Sequence, residues 1–370
     1  MSKIISIATG VPPYKHQQKN IFEFADAIYS NDETESRKLK YLYSHSGINS
    51  RYSILPDYSS KAADRQFYAK TTDMEPFPDL EKRMSWFADN AAMLSVKTIR
   101  DCIAGKIEDQ EITHLITVSC TGMSAPGMDL EIMEAMQLPA HIFRTSINFM
   151  GCYAAIHALK LADALANNNL NANVIIVCTE FCTLHFQKEN TLDNITSTLL
   201  FADGCAAVLV KHDDAGEKGL RIKSFFSDVA FKGKKDMSWQ LSSKGFLMTL
   251  SGYVPELVKA DFNILLEKAL QNAQLKIENI SHWCIHPGGK KILESIQLST
   301  GLSAQQLQCS YDVLREYGNM SSPTVLFVLH KIFQELENNE LVNLEQEPAI
   351  VFCAAFGPGL TMETFIATYD

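Results

Sequence analysis

Three polar residues stand where short apolar runs give way to helical patterns: Cys152 in NFMGCYAA, His286 in CIHPGGKK and Asn319 in YGNMSSPT. In open α/β sheets that edge is where ligands bind. A thiol at a helix start feels the positive end of the helix dipole, which favours the nucleophilic thiolate, and its N–H is free to meet an oxyanion. A histidine pinned between a buried strand and a Pro-Gly-Gly turn has a fixed ring, as an acid or hydrogen-bond donor needs. An asparagine amide supplies a second donor. Together they are the ingredients of nucleophilic catalysis with oxyanion stabilisation, and Cys-His-Asn sets occur on unrelated folds. Each also has an ordinary structural use: Cys152 as a small residue at a helix start, His286 as a core histidine, Asn319 as a turn residue before a capped helix. The other histidines have weaker claims; His157 and His330 fall inside helical patterns, and His212 follows a strand.

The elements around these residues alternate strand and helix, which points to a layered α/β fold. HLITVSC (114–120), HIFRTSINF (141–149), NVIIVCTE (173–180) and FADGCAAVLV (201–210) read as strands or strand entries. Helical patterns cover 127–138 and 153–169. In the second half, 220–230 and 281–286 read as strands, and 254–275, 290–299 and 322–339 as helices, the last opening on Ser-Pro. Residues 349–367 predict two strands about the turn Gly357-Pro358-Gly359. Each half has a strand, a Gly-containing turn with a reactive residue, then a helix, which hints at two similar halves.

The chain has 370 residues, 46% hydrophobic and 21% charged, with net charge −10. It is long enough for one large or two medium domains. The charge argues against a nucleic-acid surface, and no apolar run approaches a membrane span. The start, MSKIISIATGVPP, carries no leader pattern, so a cytoplasmic location is expected. Nine cysteines are irregularly spaced. Cys178 and Cys182 are four apart, but no second pair completes a zinc site. Buried thiols in a reducing compartment fit this pattern.

GCYAA, IHPGGKKIL, YGNMSSPTVLFVL and AAFGPGLTMET, in this order and at these separations, closely resemble the chalcone synthase-like type III polyketide synthases. VSCTGMSAPGMD and LLFADGCAAVLV match the same family, and the resemblance runs from about Gly47 to the C-terminus. It implies a homodimer of α/β, thiolase-fold subunits: two similar βαβαβαββ-type halves in a five-layered αβαβα arrangement. Residues 1–215 would carry the nucleophile, and 216–370 His286 and Asn319. It further implies that Cys152 accepts a starter acyl group from coenzyme A or a carrier protein, with His286 helping to keep it as thiolate. His286 and Asn319 would hold the thioester carbonyl of malonyl-CoA during loss of carbon dioxide, without metal or redox cofactor.

By the same resemblance Phe201 is a gatekeeper, Gly357, Pro358 and Gly359 form a cavity wall, and Ser321 lines the cavity. Met248 stands where a second gatekeeper phenylalanine is usual, Ala125 where plant enzymes place a methionine that reaches into the partner's cavity, and Cys182 and His185 where they have threonines. Met248 and Ala125 would loosen the cavity and His185 would add a bulky, titratable wall, so chalcone itself is not the expected product. The family's basic helix is retained only as Arg37, Lys38 and Lys40, with Tyr41 and His45 in place of cations. Lys290 and Lys291 open a helix, where the dipole disfavours positive charge by roughly 0.3–1 kcal/mol. A bound anion would remove that penalty, so Lys291, with Gly288, Lys38 and Lys40, is a candidate contact for the coenzyme.

Three other readings remain open at this stage. A chain-initiating ketoacyl synthase would share the fold and triad but condense once onto a carrier-protein thioester. A Cys-His-Asn hydrolase would release free acid. A non-catalytic thiolase-fold subunit would have no need of all three residues.

Overall fold

The computed structural model describes residues 1–213, 216–340 and 348–370. The first half runs β1 (Ser2–Gly10), β2 (Tyr14–Gln17), α1 (Gln18–Tyr29), α2 (Glu33–His45), β3 (Ser50–Ser53), α3 (Leu80–Ile103), β4 (His114–Ser119), α4 (Met128–Met136), β5 (Phe143–Asn148), α5 (Ala154–Asn168), β6 (Asn173–Phe181), α6 (Leu192–Leu200) and β7 (Asp203–His212). The second runs β8 (Leu220–Val229), β9 (Met237–Ser242), β10 (Gly245–Leu250), α7 (Val254–Asn272), β11 (His282–Ile285), α8 (Lys290–Thr300), α9 (Gln308–Tyr317), α10 (Ser322–Glu340), β12 (Ala349–Gly357) and β13 (Thr361–Tyr369). The boundary expected at 215/216 falls at residues 214 and 215, outside the described residues.

The layers follow from strand alternation. In β6, Val174, Ile176 and Cys178 face a central core, while Ile175 and Val177 face an outer one with α3. In β12, Val351, Cys353 and Ala355 face the same central core, and Phe352, Ala354 and Phe356 face an outer core with α7 and α8. Successive side chains of a strand point to opposite faces, so these apolar runs require helices on both sides. α5 and α10 fill the centre. α5 is alanine-rich there (Ala154, Ala155, Ala158, Ala162, Ala166), which lets it sit closely between strands on either side. The result is helix, sheet, helix, sheet, helix.

The strands form one continuous sheet in the order β11-β12-β13-β8-β1-β7-β6-β4-β5. Its two parts meet through a short β1–β8 pairing, Lys3 opposite Arg221 and Ile4 opposite Leu220. Chain order repeats between the halves, β4-α4-β5-α5-β6-β7 against β11-α8-α9-α10-β12-β13, with α9 in the place of β5. Consequently the turn before α5, holding Cys152, corresponds to the turn before α10, holding Asn319. The turn after β11, holding His286, corresponds to the turn after β4, holding Cys120.

The strands and helices expected from sequence are present, with ends shifted by a few residues. α3 was not anticipated, although Asp79 caps it by accepting from the Lys82 N–H at 3.0 Å. The β9–β10 hairpin was also unanticipated.

Candidate active site

The turn that holds Cys152 is built on unusual backbone. Gly151 has φ +86°, and a Cβ there would lie 2.2 Å from Pro358 Cδ. Only glycine lets the turn press so closely on the 357–359 loop. On the other side, a Cβ on Gly357 would meet the Tyr153 ring at 2.5 Å. These contacts are what fix the loop as a wall. Helix α5 begins at Ala154, so Cys152 stands just before the cap residue Tyr153 rather than in the first turn. The Gly151 N–H donates to Cys120 Sγ at 3.0 Å.

Asn319 sits between Gly318 (φ +70°) and Ser321 (φ +62°), a non-glycine in the left-handed region. Its Oδ1 accepts from the Ser321 N–H at 2.9 Å, and its Nδ2 donates to the Gly288 carbonyl at 3.2 Å. The amide is therefore held oxygen inward, with its donor edge toward the cysteine. Its backbone brackets Phe201: the Asn319 N–H donates to Leu200 O and the Ala202 N–H to Asn319 O, both at 2.9 Å. Phe201 is thus held directly against the asparagine turn, and Arg51 donates to its carbonyl from behind. His286 leaves β11 with its N–H donating to Ala354 O at 2.9 Å. Its Nδ1 is buried without a partner, which leaves Nε2 as the edge toward open space.

Cys152, His286 and Asn319 line one cavity of about 550 Å³, 7%, 1% and 3% exposed. Phe201, Met248, Cys182, Ser321, Pro358, Gly288 and Lys291 line it too. Hydrogen bonds from Ser321 and Asn319 lower the thiol pKa, but burial outweighs them and pushes Cys152 up to about 12. Burial also pushes His286 down to about 3. Burial thus favours the neutral form of each group taken by itself.

Other expected residues lie elsewhere. His185 is buried behind the cavity; its Nε2 donates to Thr121 O at 2.7 Å, its Nδ1 accepts from the Phe246 N–H at 3.1 Å, and its ring stacks on Phe246. Burial drives its pKa to about 3, so it is a fixed neutral group rather than a titratable wall. Ala125 is exposed in a separate recess of about 310 Å³ with Met123 and Arg144. Gly357 and Gly359 shape the wall from outside the lining. Lys38 and Lys40 are exposed on α2, whose Tyr41, Leu42 and His45 form the rim instead. Lys290 pairs with Glu294 at 3.6 Å, whereas Lys291 makes no ion pair among the described residues.

Three residues were not anticipated. Cys120 lines the cavity at the position that mirrors His286, and Trp239 lines it with its Nε1 donating to Cys120 O at 2.7 Å. Glu180 is fully buried beneath, accepting from the Cys120 N–H at 2.9 Å, Thr121 Oγ1 at 2.8 Å and Ser322 Oγ at 2.7 Å, and burial raises its pKa to about 7. The repeated strand–turn–helix pattern could have pointed to Cys120. No local signal marks Glu180, which reads as the end of a strand. Among the described residues no group of three His, Cys, Asp or Glu could hold a metal, and no helix is long and apolar enough to cross a membrane.

Models of the chalcone and stilbene synthases match residues 1–214 (N-terminal domain) and 222–368 (C-terminal domain). The alpha-pyrone synthesis polyketide synthase-like Pks18 of Mycobacterium tuberculosis is 28% identical over 365 residues, covering 97% of this chain and 89% of that protein. Probable polyketide synthase 1 of Dictyostelium discoideum is 26% identical over 370 residues, which are 98% of this chain but 11% of that protein. Among solved structures, PKS-I of the brown alga Ectocarpus siliculosus superposes with TM-score 0.92 at 28% identity, over 100% of this chain and 98% of that one. The C-terminal type III domain of Steely1 from Dictyostelium gives 0.89 at 24% identity, over 100% and 99%.

Proposed function

Because the chain belongs to the chalcone and stilbene synthase family, the type III polyketide synthases, we propose that Cys152 carries an acyl starter onto which malonyl-CoA is condensed repeatedly, the product then cyclising. The observation that carries the assignment of residues is the convergence of three separate strand–helix turns on one cavity, with the Asn319 amide already oriented. The single-condensation, carrier-dependent reading is not favoured, since both halves match models of the iterative family.

The steps follow from the groups present. Cys152 Sγ attacks the acyl thioester; its proton passes through His286 to the departing coenzyme A thiol, leaving the acyl group on sulfur. Malonyl-CoA then enters. His286 N–H and Asn319 Nδ2 donate to its thioester oxygen while the C–C bond to the carboxylate breaks and carbon dioxide leaves. Two donors aimed at one oxygen stabilise the enolate as its charge develops, and decarboxylation makes it without a strong base. The enolate carbon attacks the acyl–cysteine carbonyl, a C–C bond forms, and the Cys152 thiolate departs. In this reading His286 Nε2 accepts the thiol proton, passes it to the leaving coenzyme A thiol and donates in the later step. The sequence as written needs no metal, flavin or nicotinamide.

Lys291, which makes no ion pair among the described residues, is the candidate for the coenzyme's phosphates, with Gly288 beside it and Lys38 and Lys40 exposed on α2. A second copy of the chain is proposed to cover the outer edge of β5, where Phe143 is 71% exposed, and the adjoining 122–127 turn, where Met123 is 51% exposed. A cytoplasmic location belongs with this reading.

The test is product counting. Native chain and Cys152→Ala are given radiolabelled malonyl-CoA with a panel of acyl-CoA starters, and products are resolved by mass. Products holding two or more malonyl-derived units, absent from the variant, are expected. One unit per product, or free acid without a new carbon–carbon bond, would overturn the iterative reading. Asn319→Ala is expected to slow carbon dioxide release by about 10²-fold or more, the usual loss for one oxyanion donor.

A further inference from the structure

Arg51, on β3, is 3% exposed, and no carboxylate pairs with it among the described residues. The Asp203 carboxylate, whose field reaches it, is taken up by the Ile54 and Thr183 N–H groups, both at 2.8 Å, and by Thr183 Oγ1 at 2.6 Å. Arg51 Nε donates instead to Gln18 Oε1 at 3.0 Å, and Nη1 donates to the Phe201 carbonyl. Its Nη2, beside the small space behind Phe201, has no partner. Gln18 is tied to the same segment, its Nε2 donating to Leu199 O at 3.1 Å. The Arg51 stem lies against Gly318, where a Cβ would stand 2.7 Å from Arg51 Cδ and 3.0 Å from Leu200 O. An unpaired buried cation is costly. What this one contributes is a rigid fork between α1 and the carbonyl of Phe201, with its stem under the turn that carries Asn319.

Resting on the synthase reading above, we propose that Arg51 is a positioning residue for the loss of carbon dioxide from malonyl-CoA, bracing the Asn319 turn against the 199–202 segment so that the amide keeps its donor edge on the thioester oxygen. The chain of contacts is short. Arg51 holds Phe201 O, and the residues on either side of Phe201 bond to the Asn319 backbone, through Leu200 O and the Ala202 N–H, both at 2.9 Å. The arginine stem closes the other face of the turn at Gly318. The bonds of the Asn319 side chain to the Ser321 N–H and the Gly288 carbonyl set how the amide faces. The brace sets where the turn stands. Without the fork the Phe201 carbonyl loses its partner and the segment can shift, carrying Asn319 with it; a displacement of about 1 Å can cost about 10²-fold in rate. Cys152 sits on a different turn, wedged against Pro358, and in this reading Asn319 takes no part in starter transfer, so acylation of the cysteine does not depend on the brace.

The experiment measures carbon dioxide release from malonyl-CoA by the native chain, Arg51→Met, Asn319→Ala and the double variant. Beside it, single-turnover acylation of Cys152 by the best starter of the acyl-CoA panel is followed by intact mass. Arg51→Met is expected to lower kcat for release about tenfold or more, with KM for malonyl-CoA and the acylation rate each within about twofold of native. Added to Asn319→Ala, it should slow release no further, because it acts through that amide. Arg51→Lys keeps the cation but cannot hold Gln18 and Phe201 together, so it should lose most of the same rate. That variant also covers the case in which Arg51→Met fails to fold. A role in overall stability alone would slow both steps together or neither. Equal slowing of release and acylation, full additivity with Asn319→Ala, or native release in Arg51→Lys would each overturn the brace and leave the synthase reading standing. Absence of release from the native chain, read first, would overturn the synthase reading and the brace with it.

Discussion

Cys152 shows how a residue type can be legible while its state is not. A cysteine before a helix suggests a low pKa from the dipole alone. Packing adds the opposing effect: the thiol is enclosed, and desolvation outweighs the bonds from Ser321 and Asn319. A raised pKa means a neutral thiol below it and a thiolate only as pH climbs toward it, so reactivity in the empty enzyme should still be rising well above neutral pH. Alkylation of Cys152 by iodoacetamide, followed by mass spectrometry, should accelerate with each unit of pH through the alkaline range. A plateau already reached at neutral pH would mean that His286 holds a standing thiolate. His185 is the same lesson with a smaller consequence. Its identity suggested a titratable wall, and only its two hydrogen bonds and the stacked Phe246 show it to be a locked neutral one.

At the scale of elements, the proposed catalytic groups owe their positions to turns held by neighbouring turns. The Asn319 turn grips Phe201 through two backbone bonds, and the Cys152 turn is wedged against Pro358. Gly151→Ala should therefore be destabilising twice over, from the left-handed backbone and from a Cβ with no room. We expect a loss of about 1–3 kcal/mol or more in urea unfolding and loss of Cys152 acylation. A variant as stable and as active as the native chain would show that the loop can retreat at little cost. The regular elements were largely readable because strand and helix periods are local. α3 and the β9–β10 hairpin escaped because nothing chemical drew attention to them, although Asp79 marks the start of the first. Cys120 and Trp239 became site residues only when β4 and β9 were brought to the same cavity.

At the scale of the molecule, the nine-stranded sheet ends on β5, whose residues are mostly exposed and whose outer edge is unpaired among the described residues. Exposed edge strands with apolar side chains invite pairing with another copy. Sedimentation equilibrium is expected to give twice the 41.3 kDa chain mass, and Phe143→Asp with Met123→Asp to shift the protein toward the monomer. A monomeric native chain at micromolar concentration would remove the proposed dimer. Ala125, expected at a partner's cavity, lies in the recess beside this edge, so its role belongs to the same question.

The sequence by itself determined the layered α/β architecture and the family, and it singled out three residues that the fold brings to one cavity. Those depend on local periodicity and on short motifs whose order and separations survive in one dimension. Tertiary structure alone decided that Cys152 and His286 are enclosed, so that burial raises one pKa and lowers the other, that His185 stands behind the cavity, and that Tyr41 and His45 rather than Lys38 and Lys40 form its rim. Each of these rests on desolvation or on contacts between distant segments, and both exist only once the chain has closed around them.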